Sequence, residues 1–141
     1  MSWRRMTLAA LLCATIGCGS DLPQTIKVTG KVSFDGGPPP GPGVVNFLPT
    51  EAAAGFPLRP GNGDFGTDGN YTAYTFEPND GLMPGKYLVY LECWETPPNM
   101  EGKPVKSFLP KKYQAAQSSG FTLDLDTKSS SKVFDLDIVS K

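Results

Sequence analysis

The chain contains no histidine. That absence excludes Ser-His-Asp and Cys-His catalysis and any His-ligated zinc or iron centre. Cysteine is scarce, with three residues in 141, and charged side chains make up only 19%. Neither sign of charge dominates: 13 basic residues stand against 14 acidic ones, and the isoelectric point is about 5.3. A nucleic-acid binder would carry a basic stripe, and none is present. Aromatic residues, by contrast, are not lacking, and 8 Phe, 5 Tyr and 2 Trp separate the chain from disordered sequences. Glycine and proline are abundant, at 16 and 14. Together they fill about a fifth of the positions, against roughly 12% in average usage. Proline spread through a chain breaks helices, so an all-helical fold is excluded.

The N-terminus has the organisation of an export signal. Arg4 and Arg5 precede an uncharged apolar stretch from Met6 to Ile16. That stretch is too short to span a bilayer, which needs about 20 residues, and it fits a secretory signal peptide over 1–17. It ends Thr15-Ile16-Gly17-Cys18, which resembles a bacterial lipobox with Thr in place of the usual leading Leu. The resemblance implies cleavage before Cys18 and acylation of its thiol, with an ordinary signal peptide as the alternative. Gly19 behind the cysteine favours onward transport, so the expected location is the outer membrane or a periplasm-facing surface of the cell envelope. Cys13 would leave with the signal and Cys18 would carry lipid, so Cys93 remains without an intramolecular partner. Loss of Arg4 and Arg5 leaves 11 basic against 14 acidic residues. The expected organisation is a signal peptide at 1–17, a lipidated tether at 18–24 and one domain at 25–141.

Within that domain the hydrophobic period is two. Ile26, Val28, Val32 and Phe34 alternate with Lys27, Thr29, Lys31 and Ser33, which predicts a half-buried strand. Further strands are expected at 44–48, 65–67, 71–76, 86–94, 121–125 and 133–139. Asp68-Gly69-Asn70 provides a hairpin turn signal. The last two segments read as a hairpin that pairs Leu125 with Phe134 and Leu123 with Leu136. Seven short strands separated by turn signals predict an all-β, antiparallel sandwich.

Several motifs in order carry a family resemblance. Val28-Thr29-Gly30-Lys31-Val32-Ser33-Phe34-Asp35-Gly36 is similar to the first strand of carboxypeptidase-regulatory-like domains, the transthyretin-like or prealbumin-like sandwiches. Thr67-Asp68-Gly69-Asn70-Tyr71 resembles that family's hairpin, one residue short, and Pro84-Gly85-Lys86-Tyr87-Leu88-Val89 resembles its Pro-Gly-x-Tyr-x-Val strand start. Leu109-Pro110-Lys111-Lys112-Tyr113 with Ser119-Gly120-Phe121-Thr122 is similar to small bacterial lipoproteins built from this domain. The resemblance covers about 28–139 and implies a seven-stranded Greek-key fold and an envelope location. It implies no chemistry, because such domains act as accessory or adhesive modules. One enzyme family of this fold, the 5-hydroxyisourate hydrolases, relies on His residues and a C-terminal Tyr-Arg-Gly-Ser type tail. This chain has neither, so a non-enzymatic role is expected.

Three candidate sites deserve weighing against blander readings. Gly61-Asn62-Gly63-Asp64-Phe65-Gly66 matches G-x-G-x-x-G, but Pro60 precedes it and a β-hairpin follows. No helix N-terminus can meet a pyrophosphate there, and the glycines read as loop residues, so no nucleotide is expected. The expected final hairpin places Asp124 opposite Asp135, with Asp126 and Asp137 diagonal to them. Facing like charges destabilise a sheet, so either the face is solvated or covered by lysines, or a hard cation such as Ca2+ bridges the carboxylates. No other cofactor is implied. Tyr90 and Trp94 fall on the more polar side of the 86–94 strand, roughly 13 Å apart at about 3.3 Å per residue. They either stack on sugar rings or lie covered by the Pro-rich 97–110 stretch. The expected partners are the membrane, through Cys18, and an envelope protein or polysaccharide. Three roles remain open: a protein-interaction or structural module, a glycan-binding module, and a Ca2+-dependent adhesion domain.

Overall fold

The computed structural model describes Gly17, Gly19 and residues 22–141. Residues 1–16 and Cys18 lie outside the described residues, and with them fall most of the expected signal peptide and its lipidation site. Leu22, Pro23 and Gln24 are exposed and without regular structure, ahead of a domain that begins at Ile26.

The described chain is all-β. Ten strands follow one another: β1 (Lys27–Phe34), β2 (Gly43–Ala52), β3 (Gly61–Phe65), β4 (Asn70–Thr72), β5 (Gly85–Glu92), β6 (Trp94–Thr96), β7 (Lys106–Ser107), β8 (Phe121–Leu125), β9 (Ser131–Val133) and β10 (Leu136–Ile138). A single 3₁₀ turn at Lys111–Gln114 precedes β8. One sheet runs β10–β1–β4, with β9 also on β1, and the second runs β3–β2–β5–β8. Strands β6 and β7 form a separate two-stranded ribbon. The alternation that predicted the strands also builds the core. In β5, Gly85, Tyr87, Val89 and Leu91 are buried while Lys86, Leu88, Tyr90 and Glu92 face outward. Val28, Val32, Leu136 and Ile138 from the first sheet meet Val45, Phe47, Val89 and Leu123 from the second in one hydrophobic cluster.

The structure has ten strands where seven were expected, and two of its pairings are parallel. The expected 65–67 and 71–76 strands shorten to Phe65 and Asn70–Thr72, and the Asp68-Gly69-Asn70 turn joins strands of different sheets in place of a hairpin. Three further departures bear on the site. The Gly61–Phe65 stretch is a strand and not a loop, antiparallel to β2 from Gly43↔Phe65 to Phe47↔Gly61. Its glycines face inward for want of room: a Cβ on Gly61 would lie 2.1 Å from Leu82, and one on Gly63 would lie 2.7 Å from the Tyr71 ring. The expected 86–94 strand breaks at Cys93, and Trp94 joins the β6–β7 ribbon opposite Ser107. The final hairpin does not form. Strand β8 pairs with β5, whereas β9 and β10 run parallel to β1 in the other sheet. The alternation at 121–125 and 133–139 was legible, but it specifies which face is buried and not which neighbour a strand takes.

Strands β9 and β10 are one interrupted strand. Lys27↔Ser131 and Val32↔Leu136 share one register, so the break at Phe134–Asp135 is local. An uninterrupted parallel ladder, continuing from the Lys27 N–H to the Ser130 carbonyl, would bring the Lys31 N–H to the Phe134 carbonyl. The Tyr71 hydroxyl donates to that carbonyl instead, and the displaced Lys31 N–H donates to Asp135 Oδ1 at 2.9 Å. Gly30 makes the exchange possible, since a Cβ there would lie 1.9 Å from the Phe134 oxygen. Burial, with Asp135 adding to it, pushes the Tyr71 phenol far above its ordinary value, so it stays a donor.

Tyr71→Phe is expected to cost about 1 kcal/mol, because Lys31 can reclaim the vacated carbonyl. Gly30→Ala should cost more, since its Cβ meets backbone that cannot step aside. Urea unfolding of both variants checks the order, and a Gly30→Ala no worse than Tyr71→Phe contradicts it.

Candidate functional site

The four aspartates expected to share a cation are split between the sheets. Asp124 on β8 stands opposite Lys86 of β5, and Asp126 accepts the Lys128 N–H at 3.0 Å in the turn that follows. Asp135 accepts the Lys31 N–H, as described above. Asp137 Oδ1 accepts from the Ser33 hydroxyl at 2.8 Å and the Gly36 N–H at 3.2 Å. The facing of Asp124 and Asp135 is therefore corrected, and with it the motive for a bridging Ca2+. Among the described residues no three His, Cys, Asp or Glu side chains are placed to hold a metal ion. Asp126, Asp135 and Asp137 accept backbone N–H groups, and Asp137 also takes the Ser33 hydroxyl. Asp35 acts likewise, taking the Ser140 hydroxyl at 2.7 Å and its N–H at 3.1 Å. Asp68 accepts the Asn70 N–H at 3.1 Å, the turn chemistry expected of that segment.

Cys93 is fully buried, and its thiol lies 3.5 Å from the Gly41 carbonyl. Burial raises its pKa, which keeps it a thiol and not a nucleophilic thiolate.

Tyr90 and Trp94 are both half-buried. Residues 97–105 of the Pro-rich stretch are exposed at every position, whereas Ser107 pairs with Trp94 and Leu109 is buried. The break at Cys93 removes the continuous strand on which the two rings were expected to be spaced. Tyr90 instead belongs to a row that crosses the outer face of the second sheet. Asn46 on β2 is paired with Tyr90 on one side and with Asn62 on the other. Asn62 in turn exchanges both backbone hydrogen bonds with Tyr74, at 3.0 and 2.7 Å. Directly paired residues share a face, so the order across the sheet is Tyr74, Asn62, Asn46, Tyr90. A recess of about 50 Å³ opens in this row, lined by Asn46, Leu48, Pro60, Gly61, Asn62 and Tyr90. The Asn46 Nδ2 is buried and has no hydrogen-bond partner. An orphaned buried donor costs about 1–3 kcal/mol, and such groups in native proteins call for an explanation. At the far end of the row the Tyr74 hydroxyl donates to Asp64 Oδ2 at 3.3 Å. Desolvation and Asp64 raise the Tyr74 pKa, while the Asn62 side chain works in the opposite direction.

Sequence reasoning singled out Tyr90 and passed over its neighbours in the row, Asn46, Asn62 and Tyr74. The available signals were a lone amide inside the apolar run Val44-Val45-Asn46-Phe47-Leu48, and the small-polar alternation of Gly61-Asn62-Gly63-Asp64. Both were hidden by reading 61–66 as a loop.

The β6–β7 ribbon is the second notable feature. Trp94 pairs with Ser107 and Thr96 with Lys106, and Lys106 Nζ lies 2.8 Å from Glu95. The tip is built around Asn99. Its Oδ1 accepts the N–H groups of Glu101 and Lys103, both at 3.1 Å, and its Nδ2 donates to the Pro97 carbonyl at 3.0 Å. This ordered tip holds Met100 fully in solvent, with Val105 also exposed.

Comparison with family models, curated proteins and solved structures finds no match to this chain.

The Asp35 contacts give the fold a dependence on acid. The Ser140 hydroxyl and then its N–H hold the Asp35 carboxyl below its ordinary 3.8. A depressed folded pKa stabilises above the unfolded value, and that contribution is lost as pH falls through the folded one. Stability should therefore decline as pH drops below 3.8. The decline should be shallower in Asp35→Asn, measured as denaturation midpoints across pH, and equal acid slopes would refute the assignment.

Proposed function

We propose that this protein is a lipoprotein of the bacterial cell envelope, anchored through acylated Cys18, whose single domain is a non-catalytic protein-interaction module. The observation that carries the reading is the Asn99-centred tip with Met100 fully exposed. A flexible apolar side chain at an ordered summit is an anchor for a partner's pocket, because the entropy of ordering the loop is already spent. Methionine is also enriched where proteins meet. The resemblance of the 28–139 motifs to carboxypeptidase-regulatory-like, transthyretin-like sandwiches supports the same role, since such domains serve as accessory modules. The lack of histidine and the buried Cys93 thiol fit binding rather than catalysis.

Three experiments bear on this. Fractionation of cells expressing the full chain should find it in the membrane pellet. Metabolic labelling with radioactive palmitate should mark the full chain and not Cys18→Ser, and label that is absent from both or equal in both would count against the anchor. A photoreactive residue at position 100 should give a discrete protein adduct in intact cells, whereas one at exposed Thr122 should not. Adducts that are equal or absent at both positions would sink the docking role of the tip.

A further inference from the structure

We propose that the row Tyr74–Asn62–Asn46–Tyr90 is a binding strip for a neutral polysaccharide chain, on elements separate from the β6–β7 ribbon. The argument begins with Asn46. Its amide sits in the middle of a central strand, flanked by Val45 and Phe47 in the core, yet its Nδ2 finds no acceptor in the protein. A residue retained for stability would not leave a donor unpaired, and an apolar side chain would suit this half-buried position better. Asn46 lines a recess together with Phe47, Leu48, Pro60, Gly61, Asn62 and Tyr90. The acceptor it lacks is therefore best supplied by a ligand in that recess.

The chemistry of the row selects the ligand. Two tyrosines lie at its ends and two amides between them. Three strand spacings of about 4.8 Å separate the ends, so the row is roughly 14 Å long. Tyrosine rings offer faces to the C–H surfaces of a sugar, and Asn amides offer a donor and an acceptor each to its hydroxyl and ring oxygens. The adjacent row places Asp64 and Glu92 on either side of Val44. Those carboxylates accept from sugar hydroxyls and repel anionic chains, which favours a neutral chain over an acidic one. Apolar Leu48, paired with Leu88 on the same face and exposed to solvent, extends the stacking surface. Trp94, expected at the outset to pair with Tyr90, is not required, because it belongs to the ribbon.

The test uses the full lipidated chain in lipid nanodiscs, probed by NMR with cellohexaose, maltohexaose, mannohexaose and chitohexaose. At least one should shift the Asn46 side-chain amide, together with Asn62 and Tyr90, at micromolar to millimolar concentration. Asn46→Ala should weaken that binding at least tenfold while leaving the melting temperature unchanged or raised, which a purely structural role would not do. Tyr90→Ala should weaken it as well. No shift at these residues with any of the four at millimolar concentration overturns the proposal. So does binding that Asn46→Ala and Tyr90→Ala both leave intact, or a lowered melting temperature in Asn46→Ala without loss of binding.

Discussion

The fold depends on how one phenol lies along the inner face of the first sheet, with its ring packed against the second. Tyr71 belongs to β4 in the first sheet, lies against Gly63 of the second, and sends its hydroxyl past Gly30 to the Phe134 carbonyl. Its ring sits 6.2 Å from Phe47, which in turn meets Tyr87 edge-on at 6.3 Å. Those contacts need two positions without a Cβ, one on each side of the core. Gly30 and Gly63 supply them, so glycines that weaken their own strands in isolation are what let the two sheets close. Interruption of the C-terminal strand at Phe134 follows from the same contact, and Asp135 restores the acceptor that Lys31 would otherwise lose.

Acidic residues do related work elsewhere. Asp80 accepts the N–H groups of Thr75, Phe76 and Glu77, and Asp35, Asp68, Asp126 and Asp137 complete other turns and edges. A chain with 14 prolines and many loops has many backbone donors outside regular ladders, and each must find an acceptor. Side-chain carboxylates fill that need here. This accounts for Asp126, Asp135 and Asp137, which look like part of a ligand set in the sequence but are separately engaged in the structure.

Much of the fold was legible because it rests on local periodicity. The alternation at 27–34, 85–92 and 121–125 identified buried faces correctly, and Cys93 fell on the inward side as expected. Partner choice was not legible. Nothing in residues 121–139 distinguishes a hairpin from two strands that leave for different sheets, since that outcome depends on β1 and β5 far away in sequence. The strand at 61–65 was missed for a related reason. Its inward positions are glycines, and their meaning appears only once Leu82 and Tyr71 are seen filling the space. Of the outer row, Tyr90 draws notice by its own chemistry, whereas Asn46 draws it only from the neighbours that fail to satisfy it.

The proposed binding roles both lie on the outer surface, at the ribbon tip and on the open face of the second sheet. The most direct test is cosedimentation of the purified full chain in nanodiscs with isolated cell envelopes, before and after the envelopes are treated with protease. The account predicts two components. The protease-sensitive one should be lost in Met100→Asp, and the protease-resistant one should be lost in Tyr90→Ala. Failure to cosediment with either preparation, or binding indifferent to both substitutions, would contradict it.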